Sequence, residues 1–180
     1  MKFKHPEIGI CGLSCRLCPA YFSWCRGCKT PSRMKVGCAF IRCAVKEKHV
    51  EFCWDCPDQA SCPKWARHRD YGKSGDSFKC YQTLEGDIAF IQMNGVAKFA
   101  RIQKTREKWL REVLAEFNEG RSKSYYCIAA TVMEISELQE AFEEAEKRAA
   151  GLSVKEKAKV LHGILDAVAA RKGYLLKIRK

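Results

Sequence analysis

The chain has 180 residues, a length that fits one domain of ordinary size or two small ones and excludes a large catalytic barrel. It carries 33 Lys and Arg against 21 Asp and Glu, which gives a formal net charge of +12. No stretch approaches the roughly 18 consecutive apolar residues of a membrane span, and the charged amino terminus lacks the apolar run of a secretory signal peptide. We therefore expect a cytoplasmic protein with no membrane contact.

The first part of the chain is dominated by cysteine. Eleven of the twelve cysteines fall between Cys11 and Cys80, and the last is Cys127. Residues 11–62 show almost no apolar periodicity, and only the stretch 38–49 has a helical pattern. In a reducing compartment dense cysteines bind metal more often than they form disulfides, although an even count still permits disulfides. We therefore expect metal binding to supply the folding free energy of this region.

Three cysteine pairs in this region are separated by two residues, namely Cys15 with Cys18, Cys25 with Cys28, and Cys53 with Cys56. That spacing lets one tight turn present both sulfurs to one ion. With the flanking cysteines, the predicted metal ligands are Cys11, Cys15, Cys18, Cys25, Cys28, Cys38, Cys43, Cys53, Cys56 and Cys62. These ten thiolates permit two four-thiolate sites with two cysteines to spare, or one four-thiolate site beside a six-thiolate binuclear cluster. Spacing alone does not choose between the two arrangements.

Zinc is the metal that we expect, because repeated cysteine pairs with basic neighbours are typical of closed tetrahedral sites. The alternative is a pair of [4Fe-4S] clusters, since proline directly follows Cys18, Cys56 and Cys62, and a Cys-Pro step closes the bacterial ferredoxin cluster motif. Proline also stiffens any tight turn, so the dipeptide does not decide the metal. Two zinc ions held by eight thiolates would lower the net charge from +12 to about +8.

The remaining candidate ligands are weaker. His49 and His68 lie near the cysteines in sequence and could replace a thiolate, but we expect their side chains to be solvated because thiolates already outnumber the need. Cys80 and Cys127 each lie beside tyrosine, and we expect them to be small buried core residues.

The second part of the chain is predicted to be helical, with the domain boundary somewhere in the transitional segment 63–95. We divide the chain into a cysteine-rich metal-binding module, residues 1–80, and a helical domain of about four helices, residues 81–180. The overall class is therefore mainly α, with a small irregular module preceding the helices. Apolar residues spaced by three and four predict a long helix over residues 96–117, and Gly120 follows as a stop.

Three further helices complete the predicted domain. A short one is expected near residues 125–133. Ser136 with Gln139 predicts a capping box before the next helix, and Ser153 with Glu156 predicts a second box before the last one, which Gly173 closes. Helices joined by such short connections predict an antiparallel assembly.

The basic loop 120–124, Gly-Arg-Ser-Lys-Ser, precedes the short helix. Backbone amides at a helix start can hold an anion, but capping of that helix by Ser122 or Ser124 explains the same residues. The loop lacks the glycine spacing of a Walker phosphate loop. No carboxylate pair or nucleophile-base arrangement can be identified, so we do not expect an enzyme.

Several motifs resemble domain of unknown function (DUF) family 3795, cysteine-rich proteins of bacteria and archaea. They are Cys11-Gly-Leu-Ser-Cys15-Arg-Leu-Cys18-Pro-Ala-Tyr21, Trp24-Cys25-Arg-Gly-Cys28, Cys38-Ala-Phe-Ile-Arg-Cys43, Val50-Glu-Phe-Cys53-Trp-Asp-Cys56-Pro with Cys62-Pro, and Phe117-Asn-Glu-Gly-Arg-Ser-Lys-Ser-Tyr-Tyr-Cys127. Ser61 stands where the family pattern would have proline. The resemblance implies a metal-binding module and no established function.

The sequence supports two hypotheses for function. In the first, structural zinc sites stiffen a scaffold that binds a macromolecular partner, a protein rather than nucleic acid, because each half of the chain carries the same excess of six basic residues and no focused basic patch. In the second, iron-sulfur clusters transfer electrons or deliver them to a partner enzyme.

Overall fold

The computed structural model of the chain describes residues 2–21, 23–34 and 38–180. It is mainly helical, as the sequence predicts. The described ranges contain helices α1 (Pro31–Met34), α2 (Pro63–Ser74), α3 (Leu84–Asn94), α4 (Val96–Glu116), α5 (Lys123–Val132), α6 (Ile135–Arg148) and α7 (Val154–Lys172). The cysteine-rich half also contains 3₁₀ turns at Cys15–Leu17, Cys53–Asp55 and Gln59–Ser61, and a π-helical segment at Ile41–Glu47.

The predicted helix ends are partly confirmed. Ser153 caps α7 by accepting from the backbone N–H of Glu156, and Gly173 ends α7 in the left-handed conformation, as expected. The capping box predicted at Ser136 is wrong, because α6 begins at Ile135 and its box is formed by Glu134 with Glu137. Glu134 is extended, with φ −68° and ψ 149°, so the chain enters the helix before it reaches Ser136.

Helices α4 to α7 share one hydrophobic core. Eight of its residues are 0% or 1% exposed, namely Leu110, Val113, Phe117, Tyr126, Met133, Leu138, Leu161 and Leu165. Trp109 joins this core and donates its indole N–H to the carbonyl of Leu138, 2.7 Å away. Leu17, from the first 3₁₀ turn, also packs in it, so the cysteine-rich half contacts the helical half directly. In the described part of the chain, no helix has both the length and the apolar character needed to cross a membrane.

A second core combines the two halves of the chain. It joins Ile8, Leu13, Phe52, Trp54 and Trp65 of the cysteine-rich half with Leu84, Ile88, Ile91 and Phe99 of α3 and α4. Gly12 has φ +91°, and a Cβ there would meet the side chains of Leu84 and Ile88 at 3.2 Å. Only glycine allows both that backbone conformation and that close approach.

The residues after α7 return to the junction between the two halves. The Arg179 guanidinium donates to the Asp76 carboxylate and to the backbone carbonyls of Gly72, Lys73 and Gly75. The Asp76 side chain is fully buried, and it also accepts the backbone N–H of Tyr81 at 2.6 Å. Hydrogen bonding to Arg179 lowers the pKa of Asp76, although burial acts in the opposite direction. The carboxylate therefore ties three segments of the chain together.

Candidate metal centre

Four of the predicted ligands line one small cavity of about 20 Å³. They are Cys43, Cys53, Cys56 and Cys62, and we name them the first thiol cluster. Phe40, Ala44, Val50 and Trp65 contribute apolar walls, while Lys48 and Lys64 lie at the same cavity. A cavity of this size has room for one water molecule, and a bare metal ion is no larger. The cluster therefore has the number and kind of donors that a structural zinc site uses.

Three local structures position these four cysteines. Cys53 and Cys56 flank a 3₁₀ turn, in which the N–H of Cys56 donates to the carbonyl of Cys53 at 3.3 Å. Cys62 follows the next 3₁₀ turn and is the N-cap residue of α2. Cys43 lies in the π-helical segment, where its carbonyl accepts the N–H of Lys48, five residues later, at 2.9 Å. Such π-helical turns are rare and occur often at functional sites.

The thiols of the first thiol cluster are close enough to affect one another's ionisation. Burial raises the pKa of Cys53 to about 12, and Cys11, Cys62, Cys43 and Cys56 add to the effect. The pKa of Cys53 rises because a second negative charge in a poorly solvated site is unfavourable without a cation.

Four other predicted ligands affect one another's ionisation, and we name them the second thiol cluster, namely Cys11, Cys15, Cys28 and Cys38. The Cys28 thiol is hydrogen bonded to Cys15 and lowers the pKa of Cys15. Burial raises the pKa of Cys11, which also experiences the charges of Cys15 and Cys38. The Cys28 sulfur accepts the backbone N–H of Ile10 at 3.5 Å. The two clusters are neighbours, because the charge of Cys11 in the second cluster raises the pKa of Cys53 in the first.

The two predicted ligands outside these clusters have different surroundings. Cys18 is buried and lies near Lys79 and Cys127. The Cys25 sulfur accepts the N–H of Gly27 at 3.4 Å. Gly27 has φ +94°, and a Cβ there would meet the Cys15 sulfur at 3.6 Å, so this glycine lets the Cys25 turn approach the second thiol cluster.

Two lysines beside the second thiol cluster were not recognised from the sequence. Lys29 is 5% exposed and donates from Nζ to Glu51 and to the carbonyl of His5, both at 2.9 Å. Burial lowers the pKa of Lys79, but Cys15, Cys18 and Cys11 together raise it above its ordinary value. Cationic side chains near thiolates offset the charge of a dianionic zinc site. No sequence signal separated these two lysines from the other basic residues.

Contrary to our expectation, the His68 side chain is not solvated. Its ring is partly buried, lies 3.1 Å from the carbonyl oxygen of Cys11, and stacks on Trp65 with ring centroids 5.7 Å apart. Burial lowers the pKa of His68, which favours the neutral ring. His49 is exposed, as expected, and has φ 55°.

Cys80 and Cys127 are buried, as the sequence predicts, with 7% and 1% of their surface exposed. Burial raises the pKa of Cys80 to about 11 and that of Cys127 to about 12, so both remain protonated at neutral pH. Neither of them lines the cavity of the first thiol cluster.

All twelve cysteines are free thiols. Among the residues that the structure describes, no three side chains of His, Cys, Asp or Glu converge as closely as a bound metal ion requires. The ten cysteines therefore stay predicted ligands. No protein-family model, curated protein or solved structure matches this chain. The resemblance to domain of unknown function family 3795 likewise stays a prediction.

Proposed function

We propose that this chain is a cytoplasmic zinc protein in which two four-thiolate sites stabilise the fold of the cysteine-rich half. The observation that supports the proposal best is the first thiol cluster, in which four cysteines from three separate segments line one cavity. A zinc ion there would cross-link the π-helical segment, the turn at Cys53–Asp55 and the start of α2. Metal binding would draw the thiols inward, and its free energy would add to that of folding.

The second proposed site is formed by Cys11, Cys15, Cys28 and Cys38. Its support is the contact between Cys15 and Cys28 and the presence of Lys29 and Lys79 beside them. Zinc with four thiolates carries a charge of about −2, and two nearby ammonium groups would offset it. Closed four-thiolate sites leave no open coordination position, so the proposed role is structural and not Lewis-acid catalysis.

The test is elemental analysis of protein that is expressed and purified without oxygen. We expect about two zinc ions per chain and no iron. Cys53→Ser should retain about one zinc, Cys15→Ser about one, and the double variant none. Cys127→Ser is the matched control, because it removes a buried thiol without touching either cluster and should keep both ions. A wild-type protein without any metal would reject the proposed function.

The second candidate is an iron-sulfur protein that transfers electrons, and the Cys-Pro steps favour it. Pro63 also has a different explanation, because it occupies the first turn of α2 directly after the N-cap residue Cys62, where proline suits helix geometry. Anaerobic protein would be brown with clusters and colourless with zinc. Iron and sulfide in equal amounts, near four or eight of each per chain, would replace the zinc proposal with this one.

The scaffold role requires a partner, which we propose to be a protein. Trp24, next to Cys25, is 67% exposed, and its ring lies 5.4 Å from the Arg33 guanidinium. An exposed tryptophan with an adjacent arginine is typical of residues that dominate protein interfaces. Trp24→Ala should retain all bound metal and lose the proteins that co-purify with the wild type. Met93→Ala is the control, because Met93 is 83% exposed and lies on α3.

A further inference from the structure

An open cavity of about 650 Å³ lies between the start of α5 and helix α7. The lining residues that matter here are Arg121, Ser122, Lys155, Lys159, His162 and Gly163. The volume is within the range of small-molecule sites, about 300 to 1,000 Å³. The proposed zinc sites do not use any of these residues.

The floor of this cavity contains a fixed pair of polar side chains. Ser122 is 5% exposed, and its Oγ lies 2.8 Å from Nε2 of His162. Ser122 or Ser124 was expected to cap α5, and Ser122 is the N-cap residue, but its side chain makes no capping hydrogen bond. Tyr125 stacks on the His162 ring with centroids 3.9 Å apart and donates its hydroxyl to Asp166 at 2.7 Å. The imidazole is therefore held in one orientation by its neighbours.

Three cations surround the opening, and they come from two different segments. Arg121 precedes α5, whereas Lys155 and Lys159 lie one turn apart on α7. Among the described residues none of the three forms an ion pair with a carboxylate. The two carboxylates that also line the cavity accept hydrogen bonds from neighbouring residues: Asp166 accepts from Tyr125, and a hydrogen bond from Ser122 lowers the pKa of Glu119.

Gly163 is unusual in this setting. It lies in the interior of α7, where glycine is unfavourable compared with alanine, yet a Cβ there would meet no atom within 4 Å. Neither packing nor backbone conformation requires glycine at this position. Its effect is to leave the wall of the cavity open beside His162.

We propose that this cavity binds a small phosphate ester. Its phosphate would be held by Arg121, Lys155 and Lys159, beside the ring of His162. A phosphate dianion matches several cations better than a single carboxylate does, and arginine suits its geometry. The volume exceeds what inorganic phosphate alone would fill. A nucleic-acid strand is a poorer match, because the excess of basic residues is spread evenly along the chain.

The test is a titration of the full chain followed by the NMR signals of its four histidine rings, with His162 assigned from a His162→Gln variant. The probes are inorganic phosphate, adenosine monophosphate, adenosine without phosphate, and a short single-stranded DNA. We expect a saturable shift of the His162 signals with adenosine monophosphate, a weaker one with inorganic phosphate, and none with adenosine.

Two matched pairs of variants identify the site. Gly163→Leu places a side chain in the cavity, at a position where a Cβ would meet no atom within 4 Å, and should weaken the binding of adenosine monophosphate by about tenfold or more. Gly86→Leu, at another helical glycine whose Cβ would meet no atom within 4 Å, should leave that binding unchanged. Lys159→Gln should weaken binding, and Lys147→Gln on α6 should not. Equal shifts with adenosine, no saturable shift with either phosphate probe, tighter binding of the DNA strand, or full binding by Gly163→Leu would each overturn the proposal.

Discussion

Lys29 and Glu51 form an ion pair from which solvent is excluded, because the Lys29 side chain is fully buried and its Nζ lies 2.9 Å from the carboxylate. The same ammonium group is 3.6 Å from the centre of the Phe52 ring. Glu51 in turn accepts the backbone N–H groups of Lys4 and His5, at 3.0 and 2.8 Å. The pair thus ties the amino terminus to the segments that contain Cys28 and Cys53.

Lys29→Met should destabilise the protein by about 3 kcal/mol, because it leaves a poorly solvated carboxylate without its cation. The measurement is urea unfolding followed by tryptophan fluorescence. Arg42→Met is the control, since Arg42 and Glu47 are 81% and 49% exposed and their pair should contribute less than about 1 kcal/mol. Equal losses in the two variants would contradict the importance of burial.

The raised pKa of Asp87 predicts that the free energy of unfolding depends on pH. Burial raises its pKa from 3.8 to about 6, although a hydrogen bond from Thr83 opposes the shift. The folded state therefore binds the proton more tightly than the unfolded state, so wild-type stability should fall as the pH rises from about 4 to about 6.

Asp87→Asn should remove that dependence and stabilise the protein at neutral pH by about 1 to 2 kcal/mol. The gain should vanish below about pH 3, where the wild-type carboxyl group is protonated in both states. Urea unfolding of both proteins across this range provides the check. Parallel curves for wild type and variant would show that Asp87 does not titrate between these pH values.

Gly163→Ala should raise the stability of α7 by about 1 kcal/mol, because alanine has the better helix propensity and free space surrounds the position. Gly173→Ala should do the opposite, since Gly173 ends the same helix with φ 76°. Thermal unfolding of the two variants compares them directly. A loss of stability in Gly163→Ala would mean that the cavity wall cannot accept a side chain.

Removal of the proposed zinc ions should affect the two halves of the chain differently. With a chelator, the emission of Trp54 and Trp65, which pack beside Cys53 and Cys62, should shift to longer wavelength as solvent enters. Most of the far-ultraviolet circular dichroism should persist, because helices α4 to α7 have their own apolar core. A complete loss of helical signal would show that the metal supports the entire fold.

The sequence predicted helices α4 to α7, including the short helix α5, but did not predict α2 or α3. Helices α4 and α7 have apolar residues at spacings of three and four, and burial of that face determines their position. Helix α2 was missed, because Trp65 and Gly72 are its only buried residues and no apolar stripe marks it. Its helical form depends on packing against α3, which periodicity within a single segment does not reveal.

The sequence also did not predict which cysteines lie close together in the fold. Spacing identifies local pairs such as Cys53 with Cys56, which do line the same cavity. The partners of Cys15 are different, because the backbone brings Cys28, thirteen residues later, into contact with it. Such contacts are set by the path of the chain between the turns, including the ion pair between Lys29 and Glu51, and no spacing rule contains that information.

The hydrogen bonds between Asp76 and Arg179 constrain the order in which parts of the protein can fold during synthesis. The two residues are 103 positions apart, so at 5 to 20 residues per second the ribosome needs roughly 5 to 20 s to add the second after the first. For that interval the buried carboxylate lacks its arginine, while every cysteine of both thiol clusters has already been synthesised. The cysteine-rich half can therefore bind the proposed zinc ions before the junction with the helices is closed.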